Sequence, residues 1–223
     1  MAQPPLEELP LFPISTVLFP FVPMRLHVFE ERYRQLVHDC LRDDRPLGIV
    51  LIRSGTEVGG PADPHLVGTL VRILKVDSYD DGTMDIQVHG SERFRIRRLE
   101  ESKPYLVGFV EQVEEIELED SPRRDALVMR AREDFQSWVK MKLARRDMEV
   151  RVRLPDEPLQ LSFAIANTLP ISNLDKQRML EMTDTLDRLA GLIPLIDEQL
   201  VEGTEPAAHR VSPSDLEEWV FRN

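Results

Sequence analysis

The segment from Leu9 to Val37 constrains the fold more than any other part of the chain. Four prolines (Pro10, Pro13, Pro20 and Pro23) interrupt a largely apolar run. Because proline fixes φ and cannot donate a backbone hydrogen bond, such a run is typical of short edge strands joined by rigid turns. An amphipathic pattern then predicts a helix over about residues 30–42. Its apolar stripe comprises Tyr33, Leu36, Val37, Cys40 and Leu41.

Strand-like patterns continue to about residue 120. Leu47 to Arg53 is a short apolar run, and Val67 to Ser78 and Thr83 to Val88 are two further runs joined through a turn at residues 79–82. Phe94 and Ile96 alternate with arginines and predict a separate strand. A last strand is predicted over residues 105–118, which end in an acidic stretch.

The pattern changes to a helical one at Ser121-Pro122, an N-cap followed by a proline at the first helical position. Later helices are predicted over about residues 159–169, from Ser172 or Asn173 to about residue 182, and from Thr183 or Asp184 to about residue 203. We therefore predict a β subdomain over residues 1–120, a helical subdomain over 121–205 and a tail over 206–223. The tail is predicted to be flexible or a docked short helix that carries Leu216, Trp219, Val220 and Phe221.

Several fragments, in order, resemble the substrate-binding domain at the N-terminus of the ATP-dependent Lon proteases. Besides the opening segment they are PLGIVLI (46–52), VGTLVRI (67–73), DGTMDIQVHGSERFRI (81–96), PYLVGFVE (104–111) and the helical segment 163–181. The resemblance implies an α+β fold, with a PUA-like β pseudo-barrel followed by a C-terminal helical bundle. It also implies that the chain captures unfolded or degron-bearing polypeptide. The sequence departs from the family pattern at Phe21, where a small residue is usual, and at Glu31, which is often proline.

Composition and motifs indicate a protein that binds rather than catalyses. With 223 residues the chain has no room for the ATPase and peptidase of a Lon protease, and no glycine precedes a lysine as a P-loop requires. The five histidines show no metal-ligand spacing, and Cys40 is the only cysteine. We therefore expect no enzyme activity, metal or cofactor; an enzyme with an unrecognised site is the open alternative.

The charge of the chain bears on its location and its partners. A net charge of −12 disfavours general nucleic-acid binding, and no apolar run is long enough to span a bilayer or resembles a signal peptide. We expect a cytoplasmic protein. The alternative function is RNA binding through the barrel and the helix over residues 122–153, which holds ten basic and five acidic residues. A solvated helix face explains the same charges.

The apolar loop at residues 19–24 is the candidate binding site. Its consecutive apolar residues cannot all point inward, and an exposed apolar patch commonly marks a binding surface. The predicted peptide-binding residues of the loop are Phe21, Val22, Pro23 and Met24, and the family resemblance implies that Tyr79 and Met84 of a nearby hairpin join them. The expected partners are unfolded or client polypeptides, with an ATP-dependent protease as a further candidate. Simple packing of the loop into the barrel is the alternative, and the sequence does not define the oligomeric state.

Overall fold

The protein's structure, a computed structural model, describes residues 6–144, 151–202 and 220–221. In the described ranges the strands are β1 (Glu7–Ile14), β2 (Pro23–Val28), β3 (Leu47–Gly55), β4 (Ala62–Pro64), β5 (Val67–Ser78), β6 (Met84–Glu100), β7 (Val107–Gln112), β8 (Arg151–Val152) and β9 (Val220–Phe221). The helices are α1 (Glu31–Arg42), α2 (Pro122–Ala144), α3 (Pro158–Thr168), α4 (Asn173–Glu181) and α5 (Thr185–Glu202). This segregation of strands and helices confirms the predicted α+β class.

The chain divides into two compact units, Met1–Glu114 and Glu115–Asn223. The sequence pattern placed the boundary at residue 120, because the helical periodicity begins only after it. The segment before α2 belongs to the helical unit through polar contacts that periodicity does not reveal. The backbone N–H of Ile116 donates to the carbonyl of Thr183 at 2.8 Å, and Glu115 pairs with Arg188 at 2.8 Å.

The first unit is a closed barrel. Its strands follow the order β1–β7–β6–β5–β3, and β3 returns to pair with β1, which is the one parallel pairing in this ring. β2 pairs with the first half of β6, and β4 pairs with the end of β3. Closure removes most of the exposed strand edges that an open sheet would present.

The strand β6 differs from the prediction. The sequence patterns at Thr83–Val88 and at Phe94–Ile96 predicted two strands, but they form one strand of 17 residues. The register shifts opposite β5 between Thr69 and Val71, as at a β-bulge. Bulges bend a long strand without ending it, so that its two halves pair with different neighbours.

The barrel core is built from alternating residues of opposing strands, namely Leu9, Leu11, Val50, Phe94, Ile96 and Val110. Phe94 is 2% exposed. Its ring lies so close to β3 that a Cβ at Gly48 would stand 2.5 Å from Phe94 Cζ. The glycine therefore provides the space that the aromatic ring fills.

The helix α1 follows the predicted pattern with one exception. Tyr33, Leu36, Val37 and Cys40 are buried, but Leu41 is 47% exposed. Leu41 lies at the edge of the apolar stripe, where the helix turns toward solvent. Glu31 is the first residue of the helix. Proline is well tolerated at the first position of a helix, so either residue fits there.

The helical unit begins where the capping pattern predicts. Ser121 Oγ accepts a hydrogen bond from the backbone N–H of Arg124 at 3.2 Å, and Ser172 Oγ accepts one from Asp175 at 3.1 Å. For α5 the capping residue is Asp184, whose carboxylate accepts from the N–H of Leu186 at 2.7 Å. These side chains satisfy backbone donors that would otherwise lack partners at the helix starts.

A buried arginine connects the elements of the helical unit. Arg188 has an exposed fraction of 0%, and its guanidinium donates to Glu115 at 2.8 and 3.1 Å, to the Met179 carbonyl at 2.9 Å and to Ser162 Oγ at 3.0 Å. It also lies 4.2 Å from the centre of the Phe163 ring. Burial lowers the pKa of Arg188 and the Glu115 carboxylate opposes that change, while an arginine stays charged at neutral pH.

The end of the chain differs from the helical turn that the sequence pattern allowed. Val220 and Phe221 form the strand β9, which pairs antiparallel with β8. A helix of one or two turns is marginal in water, whereas a strand gains backbone hydrogen bonds from its neighbour. Leu216 and Trp219 lie outside the described residues. Among the described helices, none combines the length and the apolar character that a membrane crossing needs.

Candidate functional site

The loop before β2 is attached to the barrel by backbone hydrogen bonds. Thr69 Oγ1 donates to the carbonyl of Leu18 at 2.6 Å. The N–H of Phe21 donates to the carbonyl of Gly90 at 2.8 Å, and the N–H of Gly90 donates to the carbonyl of Val22 at 2.9 Å. The strands β5 and β6 therefore hold the loop at several points.

Gly90 allows this close approach. A Cβ at Gly90 would stand 2.3 Å from the carbonyl oxygen of Phe19 and 3.1 Å from Thr69 Cγ2. A backbone oxygen cannot rotate away as a flexible side chain can. A residue with a side chain at position 90 would therefore push the loop off the barrel.

Phe21 adopts a conformation that is unusual for its residue type. Its φ is +66°, in the left-handed region that costs a residue with a side chain about 1–2 kcal/mol. A glycine would adopt this conformation without that cost. Phe21 is nevertheless 36% exposed, so that the strained backbone carries a large apolar side chain at the surface.

The six predicted peptide-binding residues do not form one patch. Phe21 and Pro23 are exposed and Met24 is half-buried, but Val22 and Met84 are only 5% and 4% exposed and belong to the core. Val22 and Met84 point inward because side chains alternate along strands. Neither is placed to contact a ligand at the surface.

Tyr79 is exposed but stands at the other end of β2. Pro23 pairs with His89 and Val28 pairs with Met84, and Tyr79 lies in the turn next to Met84. The five-residue separation along β2 corresponds to about 17 Å. The residues that remain together at the surface are Phe21, Pro23 and Met24.

Further residues of this surface follow from the pairing of the strands. Met24 pairs with Val88 and Leu26 pairs with Ile86, so that Met24 and Leu26 share one face of β2 and are both half-buried. Leu26 was missed as a candidate although its alternation with Arg25 and His27 is the signal that identifies it. Pro23 alternates with Met24 and Leu26 and lies on the other face of β2, with Arg25 and His27. The exposed or half-buried apolar residues Phe21, Pro23, Met24 and Leu26, taken from both faces, are here called the β2 surface.

The opposite face of the same strands is polar. His27 Nδ1 lies 2.7 Å from one oxygen of Asp85, and the Tyr79 hydroxyl donates to the other oxygen at 2.7 Å. The contacts with His27 and Tyr79 lower the pKa of Asp85, and donation to Asp85 raises the pKa of Tyr79. The ring of Phe29, 48% exposed, lies 5.9 Å from that of His27. This cluster fixes the orientation of Tyr79 on the polar side.

Metal binding and RNA binding are the two other functions that the sequence raises. In the part of the chain that the structure describes, no three His, Cys, Asp or Glu side chains come together as a metal site requires. The basic helix α2 directs several of its arginines to acidic or carbonyl groups: Arg124 to Asp120 and Asp125, Arg130 to Asp134 and Asp197, and Arg132 to the Pro155 carbonyl. These pairings favour the solvated helix face over an RNA-binding stripe. Arg145 and Arg146 lie outside the described residues.

The described residues form a β-barrel with an exposed apolar side chain in the loop before β2, followed in the chain by helices, which is an α+β architecture. A family model described as the ATP-dependent protease La (LON) substrate-binding domain matches residues 8–198. The chain therefore belongs to the LON substrate-binding domain family, which confirms the resemblance inferred from its motifs.

The similar curated proteins are Lon proteases. Lon protease 2 of Syntrophobacter fumaroxidans is 34% identical over 181 residues, which cover 80% of this chain and 23% of that protein. Lon protease of Escherichia coli K12 is 26% identical over 196 residues, which cover 86% of this chain and 25% of that protein. The chain thus spans about a quarter of the length of the curated relatives that it matches.

Solved structures show the same architecture. A Lon N-terminal domain protein from Xanthomonas campestris is 29% identical, with a TM-score of 0.64, and the match covers 85% of this chain and 98% of that one. The N-terminal domain of the Mycobacterium avium complex Lon protease has a TM-score of 0.63 and an identity of 18%, covering 86% of this chain and 99% of that one. The second likeness concerns the fold alone.

Proposed function

We propose that this chain is a non-catalytic module that binds apolar segments of unfolded or client polypeptides through the β2 surface. The observation that carries the proposal is the exposed Phe21, held at the surface by a backbone conformation that a phenylalanine adopts only at a cost. Met24 and Leu26 extend the apolar surface along β2. Methionine and aromatic side chains suit the recognition of varied sequences because they pack against many shapes.

An ATP-dependent protease is the partner that we propose for this module. The similar curated proteins are named Lon proteases, and the chain matches about a quarter of their length. A module that holds an unfolded segment and also associates with a Lon-type protease would act as an adaptor. It would raise the local concentration of the client at the protease.

Binding to an unfolded protein tests the proposal directly. Fluorescein-labelled α-lactalbumin, reduced and carboxymethylated so that it stays unfolded, is titrated with the protein and followed by anisotropy. The variant Phe21→Ser should bind about tenfold more weakly, because burial of an aromatic side chain contributes ~1.5–3 kcal/mol. Adding the wild-type protein should also accelerate the degradation of this probe by a Lon protease if the adaptor proposal holds.

The matched control is Leu174→Ser. Leu174 is 58% exposed on α4, so the variant removes a comparable apolar side chain from a different surface. It should leave the affinity for the unfolded probe unchanged, and native lactalbumin should not bind either protein. Equal affinities of wild type, Phe21→Ser and Leu174→Ser would refute binding through the β2 surface.

A further inference from the structure

β2 is an edge strand within the described part of the chain. It pairs with β6 on one side, and no described strand pairs with its other side. An unpaired edge presents backbone N–H and C=O groups that can bond an additional strand. Two other unpaired edges occur in the described part of the barrel unit. β4 has three residues and ends at Pro64, which has no N–H to donate, and β5 pairs with β6 alone from Arg72 to Ser78.

Hydrogen bonds on either side of the segment of β6 that pairs with β2, at Thr83 and at Gly90, define which groups of β2 point outward. The N–H of Tyr79 donates to the carbonyl of Thr83 at 2.9 Å, and because bonding alternates along an antiparallel strand, Asp85 and Gln87 bond toward β5. Residues 84, 86 and 88 therefore bond toward β2, as the bond from Gly90 to the Val22 carbonyl independently indicates.

The residues of β2 alternate in the same way. Met24, Leu26 and Val28 pair with residues 88, 86 and 84 of β6 and direct their backbone groups to that strand. The N–H groups of Arg25 and His27, and the carbonyls of Pro23, Arg25 and His27, point away from it. These three residues are exposed.

The side chains beside this edge specify what kind of strand fits it. A strand added there would have one face beside Met24 and Leu26, which are apolar and half-buried, and the other beside Arg25 and His27. His27 contacts Asp85, while Arg25 forms no ion pair within the described residues. A complementary strand alternates apolar residues with acidic ones, because opposite charges across a strand pair are favourable.

We propose that the open edge of β2 binds an extended polypeptide segment as an added β-strand, with apolar side chains against Met24 and Leu26 and acidic ones near Arg25. This inference rests on the proposed binding of polypeptides and states how they bind. Two copies of this chain are a poorer fit for the edge, since antiparallel self-pairing would set Arg25 against Arg25 or His27 of the second copy, and like charges directly opposite destabilise a sheet.

Peptides with selectively methylated backbones test the proposal. The probe is a fluorescein-labelled peptide of alternating valine and glutamate, about ten residues long, enough to span β2. One version carries N-methyl groups on its glutamates and the other on its valines, so each removes the N–H donors along one edge of the extended peptide. In antiparallel pairing the glutamate N–H groups face β2, and in parallel pairing the valine N–H groups do.

One methylated version should therefore bind about tenfold more weakly than the unmethylated peptide, the effect expected for the loss of backbone hydrogen bonds. The other version should bind as the unmethylated peptide does. Equal affinities of the two methylated versions, whether both retained or both reduced, would overturn the added-strand model because side-chain contacts alone do not distinguish the two edges.

A protein variant provides a second readout. Arg25→Pro removes the outward N–H without removing a bond to β6, and prolines are tolerated at such edge positions. Arg25→Thr removes the same charge but keeps the N–H, and is the matched control. Arg25→Pro should bind the peptide about fivefold more weakly than Arg25→Thr, provided that both show wild-type circular dichroism, and equal binding would overturn the model.

The two proposals fail in different ways. If the wild-type protein binds neither the unfolded α-lactalbumin nor the peptide, the proposed function itself is wrong. If it binds unfolded α-lactalbumin with a dependence on Phe21 but the methylated versions are equivalent, only the added strand is wrong. Concentration-dependent dimerisation that Arg25→Pro abolishes would instead assign the edge to a second copy.

Discussion

The buried ion pair between Arg188 and Glu115 provides a quantitative test of what holds the helical unit together. We expect Glu115→Gln to lower the free energy of unfolding by about 2–4 kcal/mol, since it leaves a fully buried guanidinium without its counter-charge. This estimate is about 1 kcal/mol lower than the usual cost of breaking a buried pair, because the Glu115 side chain is 19% exposed and solvent screens part of the interaction.

Arg188→Met should cost about 3–5 kcal/mol, for a different reason. It removes the donor to the carbonyl of Met179 and to Ser162 as well as the partner of Glu115. The double variant Glu115→Gln/Arg188→Met should cost less than the sum of the single variants by at least about 1.5 kcal/mol, because no buried charge then lacks a partner.

The assay is equilibrium unfolding in urea followed by tryptophan fluorescence. Trp138 has an exposed fraction of 0% in the helical unit, and Trp219→Phe in all proteins makes it the sole reporter. Arg130→Met is the control, since its pairs with Asp134 and Asp197 are at the surface, with Arg130 59% exposed, and it should cost less than about 1 kcal/mol. A cost for Glu115→Gln as small as that of the control, or additive single variants, would refute the reasoning.

Two further perturbations test the barrel unit. Gly90→Ala should destabilise the barrel by about 2–4 kcal/mol and speed hydrogen exchange of the Phe21 amide, because the new Cβ would overlap the Phe19 carbonyl. The control is Gly191→Ala, which should be neutral or stabilising because the nearest atom is 3.4 Å from the added Cβ. Equal changes in stability for the two variants would contradict this explanation. Burial raises the pKa of the Cys40 thiol to about 11. Because the thiolate is the reactive form, Cys40 should react with iodoacetamide at pH 8 at least about tenfold more slowly in the native protein than in urea. Similar rates would show that the thiol is accessible.

Local signals predicted the helices and their starts well. The first helix of the second unit begins at Pro122 and the next two begin at Pro158 and Asn173, close to the predicted positions. Capping side chains and prolines act on the backbone within a few residues, so their effect can be read from neighbouring sequence. The length of β6 could not be predicted from local sequence, because the strand is continuous only through its pairing with β5 along both halves.

The candidate site was predicted only in part. The apolar loop contains exposed residues, as its unbroken run of large side chains implied, and Phe21 is one of them. The grouping of Tyr79 with that loop is not supported, because the register of β2 against β6 separates the two along the strand. Val22 and Met84 are buried on the same face of the strands as Leu26, which remains half-buried because β2 pairs with β6 on one side only among the described strands.

The sequence by itself determined the α+β class, the family and the places where the helices begin, since these depend on periodicity, capping residues and short motifs that act locally. Only the tertiary structure decided that the barrel closes between β1 and β3 and that Arg188 is buried against Glu115. It also decided that β2 pairs with β6 alone among the described strands. These features join residues far apart in the chain. Which backbone groups of an edge strand point to solvent depends on the register of its partner, and a strand read alone does not contain that register.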